Sequence, residues 1–347
     1  MANDQILTAV LKPYGVKPHF VEEFGKIVKV YTEKGTLAVK KIPADTGVDF
    51  VRNVQHLFQS GYHRIVPIYP THDGRYAVWH ENDLYYVMPW LANEVKENHF
   101  ERHQTLFREL ARLHTLSSKE QKIRKEEREE HYETMNARWE KEQNFLEEYI
   151  ELCEKEWYMS PFQLSYCMYY GDASQALKFA RKKFDSWYEV SKDLEKVRSV
   201  VVHGKISPEH FLYDERGSGY FSNFENTRIA SPIHDLLPFL SRTLKTYPKA
   251  YDECFDWLMT YCSHFSFRNE EKLLFLSYLA YPSGLISVVK KYHETPREKR
   301  NEIKFLRKLQ HHYWLLKNTE YIVMKWEEWE QRNKEAKQNA QEGASSS

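Results

Sequence analysis

The stretch Val200–Leu237 constrains the fold of this 347-residue chain more than any other. It runs V-V-V-H-G-K-I-S-P-E-H-F-L-Y, D-E-R-G-S-G-Y, F-S-N-F-E and, after a short interval, S-P-I-H-D-L-L. The apolar run at its start predicts a strand that delivers His203-Gly204 to a loop. Arg216-Gly217-Ser218-Gly219 predicts the turn of a two-strand hairpin. The second strand ends at Asn223-Phe224-Glu225, and a helix is expected to open near His234-Asp235.

The flanking sequence predicts an α+β chain of two lobes, which its length allows. Residues 1–90 read as a small β-rich lobe. Its strand runs are His19–Phe24, Ile27–Tyr31 and Leu37–Lys40, with Gly25 and Lys34-Gly35 as turns. A helix over Val48–Ser60 has Phe50, Val51, Val54, Leu57 and Phe58 on one face and ends at Gly61. A hairpin follows, with strand runs at Ile65–Tyr69, Tyr76–Trp79 and Leu84–Met88 around the turn His72-Asp73-Gly74. Residues 91–330 read as a larger, mainly helical lobe holding the 200–237 segment. Within it Ser117–Glu156 is dense in alternating charge, which predicts an exposed helix pair docked by one face. A further helix is expected between Ala173 and Val197. Residues 331–347 are polar and rich in small side chains, and predict a disordered tail.

Composition narrows the function classes. Lys+Arg and Asp+Glu balance at 50 each, which argues against a surface built to neutralise nucleic-acid phosphates. The four cysteines form no C-x-x-C pair, so a zinc site is not expected, and their scarcity fits synthesis in a reducing compartment. No apolar run approaching ~20 residues and no leader pattern is read, so neither a membrane span nor a signal peptide is expected. Aromatics make up 15% of the chain. They read first as core filling, and second as surface for packing into an assembly.

The Val200–Leu237 segment resembles the catalytic segment of the aminoglycoside and choline phosphotransferase superfamily, the small-molecule branch of the protein-kinase fold. In that family the loop reads H-G-D-x-x-x-x-N, the second strand ends in I-D-F-E or I-D-W-E, and D-L-A follows. Leu37-Ala38-Val39-Lys40 resembles the strand whose lysine holds the α- and β-phosphates. Leu110-Ala111-Arg112-Leu113-His114 resembles the first helix of the large lobe. The resemblance covers residues ~15–330 in order, and implies a two-lobed kinase-like fold.

Carried over position by position, the resemblance also implies lost chemistry. Phosphoryl transfer needs a carboxylate to accept the substrate's proton and hard oxygen ligands for Mg²⁺. The base position holds Lys205, an ammonium. The asparagine position is His210, and imidazole is a poor Mg²⁺ ligand. The metal aspartate is Asn223, a neutral amide. No catalytic residue, metal site or cofactor is therefore expected. Any nucleotide or anion contacts would fall to Lys40, Lys205 and Glu225, with Glu225 read foremost as a structural loop acid. Lys40 has no evident glutamate partner, since the Val48–Ser60 helix offers only Asp49, and Lys41 competes for its role. His203, Gly204 and Asp235 match positions that shape and brace the loop, and Pro208 matches as well.

Leu276–Pro282, Val288–Tyr292, the Tyr76–Trp90 hairpin and the degraded loop resemble the spore-coat-associated CotS/YutH branch of endospore-forming bacteria. That resemblance implies an inactive kinase-fold protein made in the mother-cell cytoplasm and deposited in the spore coat, with other coat proteins as partners. Two alternatives stay open: an active ATP-dependent small-molecule phosphotransferase with a divergent site, and a pseudokinase that holds a nucleotide or anion as a structural ligand.

Overall fold

The computed structural model describes residues 2–91, Asn93 and 99–345. Internal contacts divide the chain into two units, Met1–Lys119 with Ser199–Asp235, and Glu120–Arg198 with Leu236–Ser347. The sequence placed a boundary at residue 90. The contacts instead keep 91–119 and 199–235 with the first ninety residues.

In chain order the elements are α1 (Ala2–Leu11), β1 (Phe20–Phe24), β2 (Ile27–Thr32), β3 (Gly35–Pro43), α2 (Phe50–Gln59), β4 (Val78–His80), β5 (Asp83–Pro89) and α3 (His99–Ser117). Then come β6 (Lys119–Lys122), α4 (Lys125–Glu154), α5 (Pro161–Ser191), β7 (Lys196–Val202), β8 (Phe211–Tyr213), β9 (Gly219–Phe221) and β10 (Arg228–Ala230). Helices α6 (Ile233–Thr243), α7 (Asp252–His264), α8 (Asn269–Ala280), α9 (Ser283–Glu294) and α10 (Glu302–Ser345) complete the described chain.

The first unit is built on an antiparallel sheet of order β1-β2-β3-β5-β4. Side chains alternate between the faces of a strand. Leu37 and Val39 therefore share one face, where they pack with Val30, Val78, Tyr85 and Val87 against Leu7, Val10 and Leu11 of α1. Lys40 falls on the opposite face. Its cross-strand neighbour is Tyr86, so both polar side chains point the same way. Helix α2 lies on that side, with Phe50 5.8 Å from the Tyr86 ring.

Ile65–Tyr69, expected as a strand, makes only isolated bridges from Ile65 to Phe221 and from Tyr69 to Val87. Pro67 and Pro70 remove ladder donors there, which excludes regular pairing. The opening helix α1 was not read from the sequence at all.

In the second unit the charged segment does not fold as its own helix pair. It forms the short β6 and the single helix α4. The partner of α4 is α5: Tyr132 stacks on Tyr188 at 4.0 Å, and its hydroxyl donates to Asp185 at 2.9 Å. Helix α5 starts earlier than expected because Ser160-Pro161 and Gln163 form a capping box. Buried Glu142 of α4 gathers Arg138, Lys290 and the Tyr281 hydroxyl. The Ser277 hydroxyl of α8 donates to the Ala180 carbonyl at 2.9 Å. The Leu276–Pro282 run thus packs inward, as part of the core.

Two further expectations are corrected. Residues 269–294 do have the length and apolar composition of a membrane span, with a mean hydropathy of 1.4, but 56% of that window is buried within the protein. Pro282 also breaks it into α8 and α9. The expected loose tail continues as α10 to Ser345, while residues 346–347 lie outside the described residues. Residues 332–341 are mostly Glu, Lys, Gln and Ala, all good helix formers. Gln331 bonds Glu335 one turn on, at 2.7 Å.

Candidate functional site

Every residue singled out for the site lies in the first unit. Strand β7 ends at Val202 and its neighbour β10 pairs with it, holding the His203 loop in place. Gly204 has φ +80°, and a Cβ there would lie 2.2 Å from the Asn226 carbonyl oxygen, so only glycine fits.

Asp235 braces this loop from the first turn of α6. Its carboxylate accepts the backbone N–H groups of His203 and Gly204, both at 2.7 Å. His114 of α3 approaches the same carboxylate at 3.2 Å. Burial works to raise the Asp235 carboxyl. The hydrogen bond and charge of His114, with the other donors, outweigh burial and hold it below its ordinary value.

His203 is fully buried, which pushes its imidazole down to about 4. It is therefore neutral at neutral pH. Its Nε2–H donates to the Ser222 carbonyl at 2.7 Å, and its Nδ1 accepts from the Lys205 backbone N–H at 3.2 Å. Both ring nitrogens are thus committed to loop structure. The expectation that His203, Gly204 and Asp235 form a structural loop matches this geometry.

The Lys40 ammonium lies in a buried cluster on the other side of the loop. It pairs with the Glu225 carboxylate and donates to the Asn223 side-chain oxygen. The Tyr86 hydroxyl donates to Glu225 Oε1 at 2.6 Å. Burial opposes both charges of the pair. For Glu225 the Lys40 ammonium and the Tyr86 hydroxyl outweigh it, and the carboxyl is held below its ordinary value. For Lys40 burial remains the larger influence and lowers its pKa. The question of which lysine faces inward is settled by strand alternation. Lys41 lies on the other face, exposed, and pairs with Asp83 at 2.7 Å.

The glutamate partner that the sequence did not reveal is therefore Glu225, from the turn after β9. Asp49 is exposed, makes no side-chain capping bond, and lies 3.6 Å from Arg52. Asn223 adopts the left-handed conformation, φ +70°, at the start of that turn. Its short polar side chain tolerates this geometry. Tyr86, His114 and Ser222 were missed by sequence reasoning. The signal for Tyr86 was its cross-strand register with Lys40.

Lys205 is exposed and enters no ion pair among the described residues. His210 Nδ1 donates to the Lys205 carbonyl at 2.8 Å, and burial pushes its imidazole down. These donors do not fit a Mg²⁺-nucleotide. The Asn223 oxygen is turned to an ammonium, the His210 ring is a soft neutral donor, and the base position carries a cation. Among the described residues no three His, Cys, Asp or Glu side chains gather as a metal site.

Solved structures similar to this chain are small-molecule kinases. An aminoglycoside phosphotransferase from Alicyclobacillus acidocaldarius matches with a TM-score of 0.67 at 16% identity, over 92% of this chain and 95% of that one. The AMP-bound complex of a spectinomycin phosphotransferase matches with a TM-score of 0.52 at 13% identity, over 91% and 97%. A microcompartment-associated aminopropanol kinase matches with a TM-score of 0.51 at 13% identity, over 89% and 95%. No family profile and no curated protein matches the chain. The fold is that of the aminoglycoside-phosphotransferase-like kinases, with a β-sheet amino-terminal region and a larger helical carboxy-terminal part.

Proposed function

We propose that this chain is a kinase-fold protein that has lost phosphoryl transfer and serves as a structural component of the bacterial spore coat. One observation supports the loss most strongly. The lysine that would hold nucleotide phosphates is neutralised by the protein's own Glu225 and capped by Asn223. The residue at the metal-aspartate position thus acts as an amide acceptor for Lys40. An ammonium at the base position adds a second, independent block. The loop framework around His203, Gly204 and Asp235 is kept intact. The coat setting, its protein partners and deposition from the mother cell rest on the sequence resemblance alone.

Two assays test the two halves of this reading. Incubation with Mg²⁺·ATP and a panel of amino alcohols, sugars and aminoglycosides is expected to give no phosphorylated product. Turnover of any of them would favour the rival reading of a divergent active phosphotransferase. A fluorescently tagged copy in a sporulating host is expected to ring the forespore coat. A diffuse signal, with normal coat composition after gene deletion, would remove the coat role.

A further inference from the structure

Cys153 lies in the last turn of α4 and Cys167 in the second turn of α5, on either side of the connection that carries Trp157 and Tyr158. The two helices run side by side there. The Tyr149 and Tyr166 rings are 5.1 Å apart, and the Tyr166 hydroxyl donates to the Leu146 carbonyl at 2.7 Å. The two thiols reach each other across this seam in a side-chain hydrogen bond. Cys167 Sγ also lies 4.0 Å from Met159 Sδ, so three sulfur atoms gather beneath the turn. Cys153 is buried and Cys167 is half-buried. The other two cysteines, Cys254 and Cys262, sit on the single helix α7, about 12 Å apart along its axis, too far to be bridged.

We propose that Cys153 and Cys167 form an oxidative modification site, a dithiol that a small hydroperoxide converts into a disulfide joining α4 to α5. The half-buried Cys167 reacts first. Its sulfur, as thiolate, attacks the peroxide oxygen, the O–O bond breaks, and Cys167 becomes a sulfenic acid with release of water. The Cys153 sulfur then attacks the Cys167 sulfur, the S–O bond breaks, and a second water leaves. Two thiols and one hydrogen peroxide thus give one disulfide and two waters. Burial holds both thiols protonated, which makes the pair stable to casual oxidation and the step slow.

The bond would fasten the base of a turn whose tip is strongly exposed. Trp157 is 88% and Tyr158 84% accessible. The cross-link closes a short loop around these aromatics and restricts how the tip moves.

The test uses the reduced full-length chain, treated with hydrogen peroxide, denatured and alkylated. Half of the four thiols are expected to disappear, and peptide mapping is expected to find Cys153 linked to Cys167, a link lost on reduction with dithiothreitol. Cys167→Ala is expected to fold and to form no disulfide under the same treatment. Retention of all four thiols in the wild type overturns the proposal, as does a link that joins any other pair or a sulfonic acid at Cys167 without a cross-link. Because the wild-type map carries the result, misfolding of a variant does not blur it.

Discussion

Lys40 on β3 and Glu225 in the turn after β9 form a buried ion pair, their side chains 10% and 8% exposed. Removing one member of such a pair leaves the other charge without its partner in a dry site, at a cost of about 3–5 kcal/mol. Glu225→Ala is therefore expected to lower stability by roughly 3 kcal/mol, read as a drop in the urea midpoint. The double variant Lys40→Met with Glu225→Leu is expected to lose far less than the two single changes added together. Additive losses would show that the pair is not coupled.

The Asp235 brace makes a second expectation. Asp235→Asn keeps the shape but turns one acceptor oxygen into a donor facing a backbone N–H. Since that carboxylate serves two buried backbone donors, a loss of roughly 2–3 kcal/mol is expected. Gly204→Ala should be comparably harmful, because it combines a positive φ with a collision against the Asn226 carbonyl. Thermal melts of the two variants check both.

Stability should also fall on acidification. His203 has its pKa lowered by burial from 6.5 to about 4, so between those values the unfolded chain binds more protons than the folded one. Stability contributed by this group therefore rises with pH from 4 to 6.5, by on the order of 3 kcal/mol, and is lost in the opposite direction. His312, also lowered to about 4 by burial, adds to the same slope. Glu225 and Asp235, held below their ordinary values, contribute above those values and lose their contribution as pH falls further. Urea midpoints measured from pH 7 to pH 4 are expected to decline steadily. A flat profile above pH 5 would contradict the buried neutral histidines.

Asn223→Asp tests the metal position directly. It places a second carboxylate beside Lys40 and Glu225, and should make the melting temperature rise with added Mg²⁺, which the wild type does not show. An equal Mg²⁺ response in both proteins would mean that Asn223 is not what excludes the ion.

Much of the site was legible because it is local. The loop residues His203 to His210, the turn at Asn223–Glu225 and the helix start at Asp235 follow one another within a single stretch of chain. Their types alone told that the base and metal positions had changed. What the sequence hid was long-range. Nothing near Lys40 announces Glu225, which lies on a distant turn and reaches it only once β3 and the hairpin are assembled. Ile65–Tyr69 misled because its apolar residues suit a strand while its prolines forbid one. The carboxy-terminal segment misled in the other direction. Its polarity suggested disorder, but Glu, Lys, Gln and Ala carry high helix propensity, and α10 is already anchored by buried Leu309, Leu316, Ile322 and Trp326. The Leu276–Pro282 run, which pointed toward the coat proteins, proves to be interior packing.

Titration calorimetry of the purified chain with ATP, in the presence and absence of Mg²⁺, tests the central claim most directly. With Lys40 held by Glu225 and Asn223, and with Lys205 and His210 at the other two positions, Mg²⁺ is expected to bring no gain in ATP affinity. Micromolar binding that strengthens when Mg²⁺ is added would contradict the loss of the metal site, and with it the reading of this chain as an inactive kinase fold.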